Sequence, residues 1–476
     1  MSNKITFSKI FFFFCLSFIL GVFFAPISIF LGFFLIFIFY VILRNPLLAV
    51  FCFVMFLLGA LNFNYNLYNT PDIVNVPVLG KVINNPEIIN NFTKIKIKTE
   101  NGNALLYTEK YADYKYGDVL FVDGKFDIPK DEGYLNYLKK DKIYYTSFYP
   151  EIKKIEKSGG LFYKTIYLWR DKMRENIQKK LPPPHSFLAK AMILGDRSSF
   201  SEDFNEKLSV SGTRHITAIS GMHIIIVSTA LFLFFSFLKI KKKWSAGLSL
   251  IFIVLFIIFV GAPSSAVRAG IMGAVVLLTH FTYRKTQSLR IVFFSGGVML
   301  AFNPLLLHYD LGFQLSFLAV IGILTFRPFI KKKIVNVDKK YKGRYKNKMF
   351  IKERVKYFLM KNEKIADLMA ITISAQILVT PLILYNFGHV SLLSIPANIL
   401  IVPLLPYIMP FIFLTAITGF FFFSIIAYFL LSFVVLVINF FAKPPFSAIY
   451  IETVPVYIIA LLYFYIFYKA RNLVYI

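Results

Sequence analysis

The chain has 476 residues, 57% of them hydrophobic, with 53 Lys and Arg against 25 Asp and Glu and a formal net charge of +28. A soluble protein of this length buries one large core, whereas this sequence repeats apolar runs of about 16 to 25 residues, the mark of transmembrane helices. Its two cysteines, Cys15 and Cys52, sit inside apolar runs, which excludes a disulfide framework or a CxxC site, and the cationic surplus fits cytoplasmic loops or attraction to anionic lipid or nucleic acid.

Three short spans open the chain, at 10–25, 27–43 and 46–63, and Asn45-Pro46 punctuates the second junction. Lys4 and Lys9 put the N-terminus in the cytoplasm, and the first span lacks a small-x-small cleavage site, so it reads as a retained helix. Residues 64–160 change period to two. Thr93–Thr99 alternates, Asn101-Gly102 is a hairpin signal, Ala104–Thr108 is the partner strand, Gly117–Phe126 is another strand pair and Ile143–Phe148 a further one. Short strands at this density predict a small OB-like β-barrel, extracytoplasmic by span parity.

Residues 161–181 set Leu161, Phe162, Ile166, Leu168 and Trp169 against Lys164, Arg170, Lys172 and Arg174, which predicts an amphipathic helix flat on the membrane surface. Pro182-Pro183-Pro184 ends it, and a second helix over His185–Leu194 completes an interfacial region, 161–212. The main membrane block, 213–470, holds candidate spans at 213–238, 244–261, 265–281, 289–306, 311–327, 366–386, 390–405, 407–423, 424–441 and 453–469. The loops 239–243, 283–290 and 327–364, the last with fifteen Lys/Arg against three acids, agree in parity as cytoplasmic. Prolines 396, 403, 406 and 410 leave the count beyond 386 open and permit broken helices lining a cavity. The expected fold is therefore a polytopic α-helical membrane protein with an inserted small extracytoplasmic β-barrel.

Polar residues inside such a block are expensive and point to function. His215-Ile-Thr-Ala-Ile-Ser220-Gly221-Met-His223 is the first island. On a continuous helix the two imidazoles stand about 12 Å apart along the axis, so they act together only if the helix breaks, and Ser220-Gly221 offers the break. They cap or bond neighbouring helices, line a polar path, or form a nucleophilic Ser-His pair. Arg268 stands about one turn into a span behind Gly261–Ser265; it snorkels to the interface or meets passing phosphates. Asp310 is expected at the outer boundary, within reach of a pair with Arg268 that is either a structural salt bridge or part of a transport path, while Gln314 is placed to bond across helices. Gln376 and Asn398 accompany the prolines and mark either a permeation path or a packing kink. In the β region, Lys94, Lys96, Lys98 and Lys110 interleave with Tyr107 and Tyr111, giving a solvated basic face or a surface that guides a single nucleic-acid strand.

No Gly-x-x-x-x-Gly-Lys-Ser/Thr loop and no dense metallohydrolase cluster is present, so neither a nucleotide-driven motor nor a metal or other cofactor is expected. Gly117–Gly124 with Glu132–Tyr144, Gly195-Asp196-Arg197, His215–His223, Ala266-Val-Arg-Ala269, Asn303-Pro304, Asp310–Ala319 and Pro396–Pro403 together resemble, in order and spacing, the ComEC-type competence proteins. The resemblance implies a non-enzymatic channel in the bacterial inner membrane that passes one DNA strand inward during natural transformation. It implies as partners single-stranded DNA, membrane lipids, a periplasmic DNA-binding protein, a cytoplasmic helicase-type ATPase and, since the sequence ends at Ile476 without the metallo-β-lactamase-like domain of larger members, a separate nuclease. The rival readings are an intramembrane serine hydrolase using Ser220 and a lipid or small-solute transporter.

Overall fold

Asn45 and Pro46 do what their order predicts: the Asn45 side chain accepts the Leu48 amide at 3.2 Å, and Pro46 opens a helix that runs to Tyr68. The computed structural model describes residues 7–27, 32, 45–69, 77–84, 86–89, 92–100, 102–110, 114–157, 161–282, 288–335, 363–451 and 454–474. Most of the expected span 27–43, Tyr111 and most of the loop 327–364 lie outside them. The chain divides into two compact units, one of residues 1–173 with 293–314, the other of residues 174–292 with 315–476.

In the first unit, helices α1 (Phe7–Phe24) and α2 (Pro46–Tyr68) pack closely. Gly21 faces the Phe56 carbonyl and Gly59 the Phe18 carbonyl, with no room for a Cβ at either. Then follow strands β1 (Val78–Val82), β2 (Glu87–Ile89), β3 (Phe92–Thr99), β4 (Gly102–Glu109) and β5 (Asp118–Asp123), helix α3 (Glu132–Lys139), and strands β6 (Ile143–Phe148) and β7 (Glu151–Lys157). The sheet order is β6-β4-β3-β1-β5-β7, with β2 on β3. The β3–β4 hairpin pairs Thr99 with Gly102, whose φ of 115° suits glycine, and β4–β6 is parallel. The sheet is open among the described residues, with β6 and β7 at its ends, so the expected closed barrel is not shown. Gly117–Phe126 forms one strand rather than a pair: Gly124 packs on Pro150 and turns the chain out of the sheet. One face buries Val82, Ile95, Ile97, Leu106, Leu120 and Tyr145; the other lays Leu138 of α3 on Leu105 and Ile143.

The end of α3 is tied down by charge. Lys139 Nζ donates to the Leu67 carbonyl at 2.8 Å, Lys140 Nζ to Asp310 at 3.1 Å, and Asn303 Nδ2 to the Lys140 carbonyl at 2.7 Å. Asp310 also accepts the Phe313 amide at 2.9 Å, and Gln314 Nε2 donates to the Leu307 and His308 carbonyls. These two residues therefore anchor a chain turn. Lys140 reaches the Asp310 carboxylate within the first unit, while Arg268, its expected partner, belongs to the second.

The second unit carries the last residues of α4 (Leu161–Lys180), then α5 (His185–Leu194), α6 (Glu202–Val210), a 3-10 turn at Arg214–Ile216, α7 (Gly221–Phe237), α8 (Lys242–Phe259) and α9 (Ser264–Thr282). Helices α10 (Ser288–Phe302), α11 (Leu306–Tyr309) and α12 (Leu311–Val335) lead on to α13 (Glu363–Phe387), strand β8 (His389–Ser391), α14 (Ser394–Ile401), α15 (Leu405–Thr418), α16 (Phe421–Ala442), strand β9 (Ala448–Tyr450) and α17 (Val456–Val474). The amphipathic α4 forms as expected, but its Met173 and Ile177 are buried in protein while Leu168 and Trp169 stay exposed. The expected spans 390–405 and 407–423 are a single span, Ser394–Thr418: Pro403 falls in a 3-10 turn and Pro406 in the first turn of α15, where a missing amide costs little. Gly322 of α12 meets the Ser374 carbonyl of α13, and Arg327 forks onto Asp367 at 3.0 and 2.8 Å. Among the described residues, five helices are long and apolar enough to cross a bilayer, as befits a multi-pass membrane protein: Pro46–Tyr68, Leu311–Ile334, Glu363–Phe387, Ser394–Thr418 and Phe421–Ala442.

Replacing Asp310 with Ala strips a mostly buried ammonium of its carboxylate and leaves the α12 cap open. The variant is expected to lose about 2–3 kcal/mol, read as a lower melting temperature of the purified protein; Gln314→Ala is expected to lose less.

Candidate functional site

Residues 211–220 interrupt helical structure between α6 and α7, and their backbone is satisfied locally. The Thr213 amide bonds the Leu208 carbonyl at 2.9 Å, the Thr217 hydroxyl donates to the Arg214 carbonyl at 2.8 Å, and Ser265 Oγ of α9 donates to the Ile219 carbonyl at 2.6 Å. Two glycines allow the path. Gly212, at φ +70°, sits where a Cβ would collide with Ser394, and Gly195, at φ +72°, closes α5.

The helix break expected at Ser220-Gly221 is present, with Ser220 as N-cap and Gly221 as the first residue of α7. His223 Nδ1 accepts the Ser220 amide at 3.3 Å and lies 3.0 Å from Ser220 Oγ. An Nδ1 that accepts an amide proton carries none of its own, which assigns the neutral ring's proton to Nε2. That nitrogen is buried and makes no hydrogen bond among the described residues. The Ser-His contact is thus a helix cap with no carboxylate behind it.

Arg268 projects from α9 onto the start of α7. Its Nη2 stands 3.3 Å from where a Cβ of Gly221 would be, so the missing side chain admits the guanidinium. The residue is 5% exposed; its plane lies over Phe317, 5.5 Å from the ring centre, and Nη1 reaches only the Met272 sulfur at 3.8 Å. Nε has no partner among the described residues, and no carboxylate pairs with this arginine there. The guanidinium abuts the N-terminus of a seventeen-residue helix, itself the positive end of a dipole.

Other basic residues lie on the segments leading to α7. Arg197 donates to the Thr217 carbonyl at 3.2 Å and lies within electrostatic range of Arg214; both are exposed, as is His215. Arg214 stands over the Phe387 ring at 5.6 Å, and His223 feels both His215 and Arg197. The nearby acid is already committed: Asp196 accepts from Arg174 Nε at 3.1 Å and Ser198 Oγ at 2.6 Å. Burial pushes its carboxyl upward, but Ser198, Arg174 and Lys190 outweigh that and hold it below the usual carboxylate range. Lys190, buried, donates to Ser199 at 2.6 Å.

His215, Ser220, Gly221, His223 and Arg268 are therefore brought together. Gln376 and Asn398 join through α14: Gln376 Nε2 donates to Ser394 Oγ at 2.6 Å, Ser394 packs against Gly212, and the Asn398 Oδ1 is buried without a partner among the described residues. Asp310 and Gln314 belong to the other unit. Sequence reading passed over Arg197 and Arg214 as site residues, although both flank the polar island in a chain whose neighbouring segments are apolar. Among the described residues no group of three His, Cys, Asp or Glu side chains could hold a metal. In chemical terms the site gathers basic side chains and unsatisfied donors suited to holding anions, and among the described residues no carboxylate backs the Ser220–His223 contact.

A family model described as "Competence protein" matches residues 192–473, which contain this whole site. "ComE operon protein 3" of Bacillus subtilis (strain 168) is 27% identical over 220 residues, covering 46% of this chain and 28% of that protein. An uncharacterized protein of Aquifex aeolicus (strain VF5) is 24% identical over 212 residues, covering 43% of this chain and 48% of that one. The chain thus matches less than half the length of either relative. No solved structure matches.

Two measurements test the local architecture. Gly212→Ala adds both positive-φ strain and a collision with Ser394, and is expected to cost about 2–4 kcal/mol, seen as loss of folded protein on extraction. Asp196 has a folded pKa below its unfolded value, so its stabilisation is complete above the ordinary carboxylate pKa and disappears as pH falls through the lower, folded one. Acid melting curves of the native protein should show that loss, and Asp196→Asn should flatten it while lowering stability at neutral pH.

Proposed function

The chain belongs to the Competence protein family, and from that premise we propose that it serves DNA uptake by passing a single DNA strand across the bacterial inner membrane. The observation that carries this reading is Arg268: a buried guanidinium with no carboxylate partner among the described residues, laid on the positive end of α7, which follows the segments carrying Arg197, Arg214 and His215. Such a site is electrostatically incomplete until an anion enters it. A guanidinium fork matches phosphate oxygens, and a polynucleotide presents one phosphate after another. Gln376 and Asn398 extend the polar lining with amide groups, and the Arg214–Phe387 pair adds an aromatic face. A conduit of this kind is passive. It is pulled by partners: a periplasmic DNA-binding protein outside, a helicase-type ATPase inside and a separate nuclease for the other strand. The OB-like reading of the β region, on the extracytoplasmic side, belongs to the same proposal.

The serine-hydrolase reading draws on the 3.0 Å Ser220–His223 contact. Its His uses Nδ1 toward the serine and finds no acid for Nε2 among the described residues, so the contact is better spent as a cap.

Labelled-DNA entry into cells, with the protein level checked by immunodetection, decides between them. Arg268→Ala is expected to reduce entry about ten- to a hundredfold, the worth of one charge-assisted contact, with Arg268→Lys retaining part of it. Ser220→Ala is expected to keep most of the activity. Normal entry with Arg268→Ala would remove the conduit assignment, and abolished entry with Ser220→Ala at full protein level would revive the hydrolase.

A further inference from the structure

Strand β3 turns Phe92, Lys94, Lys96 and Lys98 to one face, because alternate residues of a strand share a side and Thr93, Ile95, Ile97 and Thr99 are buried on the other. Helix α3 covers only part of that face. Between α3 and β3 a cleft of about 190 Å³ remains, lined by Lys94, Lys96, Asn84, Tyr137 and Asp141. Lys96 pairs with Asp141 at 2.9 Å, which fixes its ammonium in the cleft wall.

One side of the cleft continues into aromatic rings. In register across the sheet, Lys94 stands opposite Tyr107, and Tyr107 opposite Phe148. The Lys94 ammonium is 6.0 Å from the Tyr107 ring centre; Tyr107 and Phe148 stack at 4.6 Å and 6°. Phe92 meets Tyr107 at 6.2 Å and Tyr149 at 5.8 Å. The Tyr107 hydroxyl is bound to Tyr134 at 2.6 Å, and one ring face lies under Phe148, so Tyr107 is the foundation of the stack. Burial and the Tyr134 bond raise its pKa, so it stays neutral. The rings open to solvent are Phe148, at 61%, and Tyr149, at 58%. Tyr149 holds φ at +48°, where Gly or Asn would sit at lower cost. A bulky ring kept in that conformation at the tip of a sheet, beside a second exposed ring, points to use rather than packing.

We propose that this groove is a binding site for single-stranded nucleic acid, with phosphates in the Lys94–Lys96 cleft and two successive bases on Phe148 and Tyr149. Cationic groove and flat rings side by side are what a strand with exposed base faces and a charged backbone requires, and the contacts carry no sequence preference. The assignment rests on the DNA-uptake reading for its biological strand, but not for its chemistry. It moves the stacking role from Tyr107 to Phe148 and Tyr149.

The test uses the full chain in lipid nanodiscs and a fluorescent oligothymidine of about 15 nucleotides, a length within the span of one such groove. Phe148→Ala with Tyr149→Ala is expected to weaken binding by about tenfold or more. Phe148→Trp with Tyr149→Phe restores it, and an unchanged melting temperature shows that the sheet persists. Lys94→Gln is expected to flatten the salt dependence by about 0.7 in slope. A bromodeoxyuridine oligomer should photo-crosslink to the peptide containing Phe148 and Tyr149. Unchanged affinity in the double alanine variant, or crosslinks only elsewhere, overturns the groove, including the case in which the two rings instead dip into lipid. That result leaves the conduit to be judged by Arg268 and DNA entry. Loss of entry with Arg268→Ala alongside an unaffected oligomer affinity separates the two sites.

Discussion

A guanidinium removed from water without a carboxylate costs several kcal/mol unless other groups or a ligand supply negative charge. Among the described residues Arg268 is in that position, and its immediate neighbours accommodate it. Gly221 gives up a side chain so that the guanidinium can reach the first turn of α7. Phe317 offers a ring face, the weakest form of compensation, and Met272 a sulfur. Ser265, one turn before Arg268 on the same helix, fixes the approaching loop through the Ile219 carbonyl. Asp196 is turned toward Arg174 and Ser198. A fold seeking stability alone would place a carboxylate on Arg268. On the proposed reading, its counterpart is a transient anion.

The first unit solves the opposite problem. Its charged groups are paired to hold position: Lys140 with Asp310, Lys139 with the end of α2, Asn303 with the end of α3. Each of these bonds a side chain to a chain end or a carboxylate, so little polar capacity is left over there. The sheet surface differs: there lysines and aromatic rings share one face.

Much of this was legible in the sequence, for reasons that can be named. The helix break at Ser220-Gly221, the α2 start at Asn45-Pro46 and the Thr93–Thr108 hairpin follow from local backbone chemistry, which the sequence carries in full. Parity places residues on a side of the membrane, not beside one another, so it could not name Lys140, distant in sequence, as the residue that reaches the Asp310 carboxylate. Two spans were expected where Ser394–Thr418 forms one, because a proline's cost depends on whether its missing amide was needed, and a 3-10 turn removes that need. Tyr107 looked like a stacking residue by composition, yet its face was already covered by Phe148, a fact fixed by strand register rather than by sequence neighbours. Whether the sheet closes depends likewise on long-range pairing, and here β6 and β7 end it.

A path for a polyanion must bind each phosphate well enough to admit it and weakly enough to release it. Strong, well-geared sites defeat that purpose, since a fully satisfied bidentate pair dissociates slowly. On the proposed reading, the second unit answers the requirement by dividing its attraction among unlike donors. Arg268 is buried but set against a helix end that shares its sign. Arg214 is held over a ring, Arg197 is partly spent on a carbonyl, and His215 is exposed. On that reading no one of them is a complete phosphate cage, and a phosphate passes among several weak partners. On the proposed reading, adding a carboxylate partner for Arg268 would stabilise the fold and stop the traffic. The instability left in this site is therefore the part of the structure that function would require.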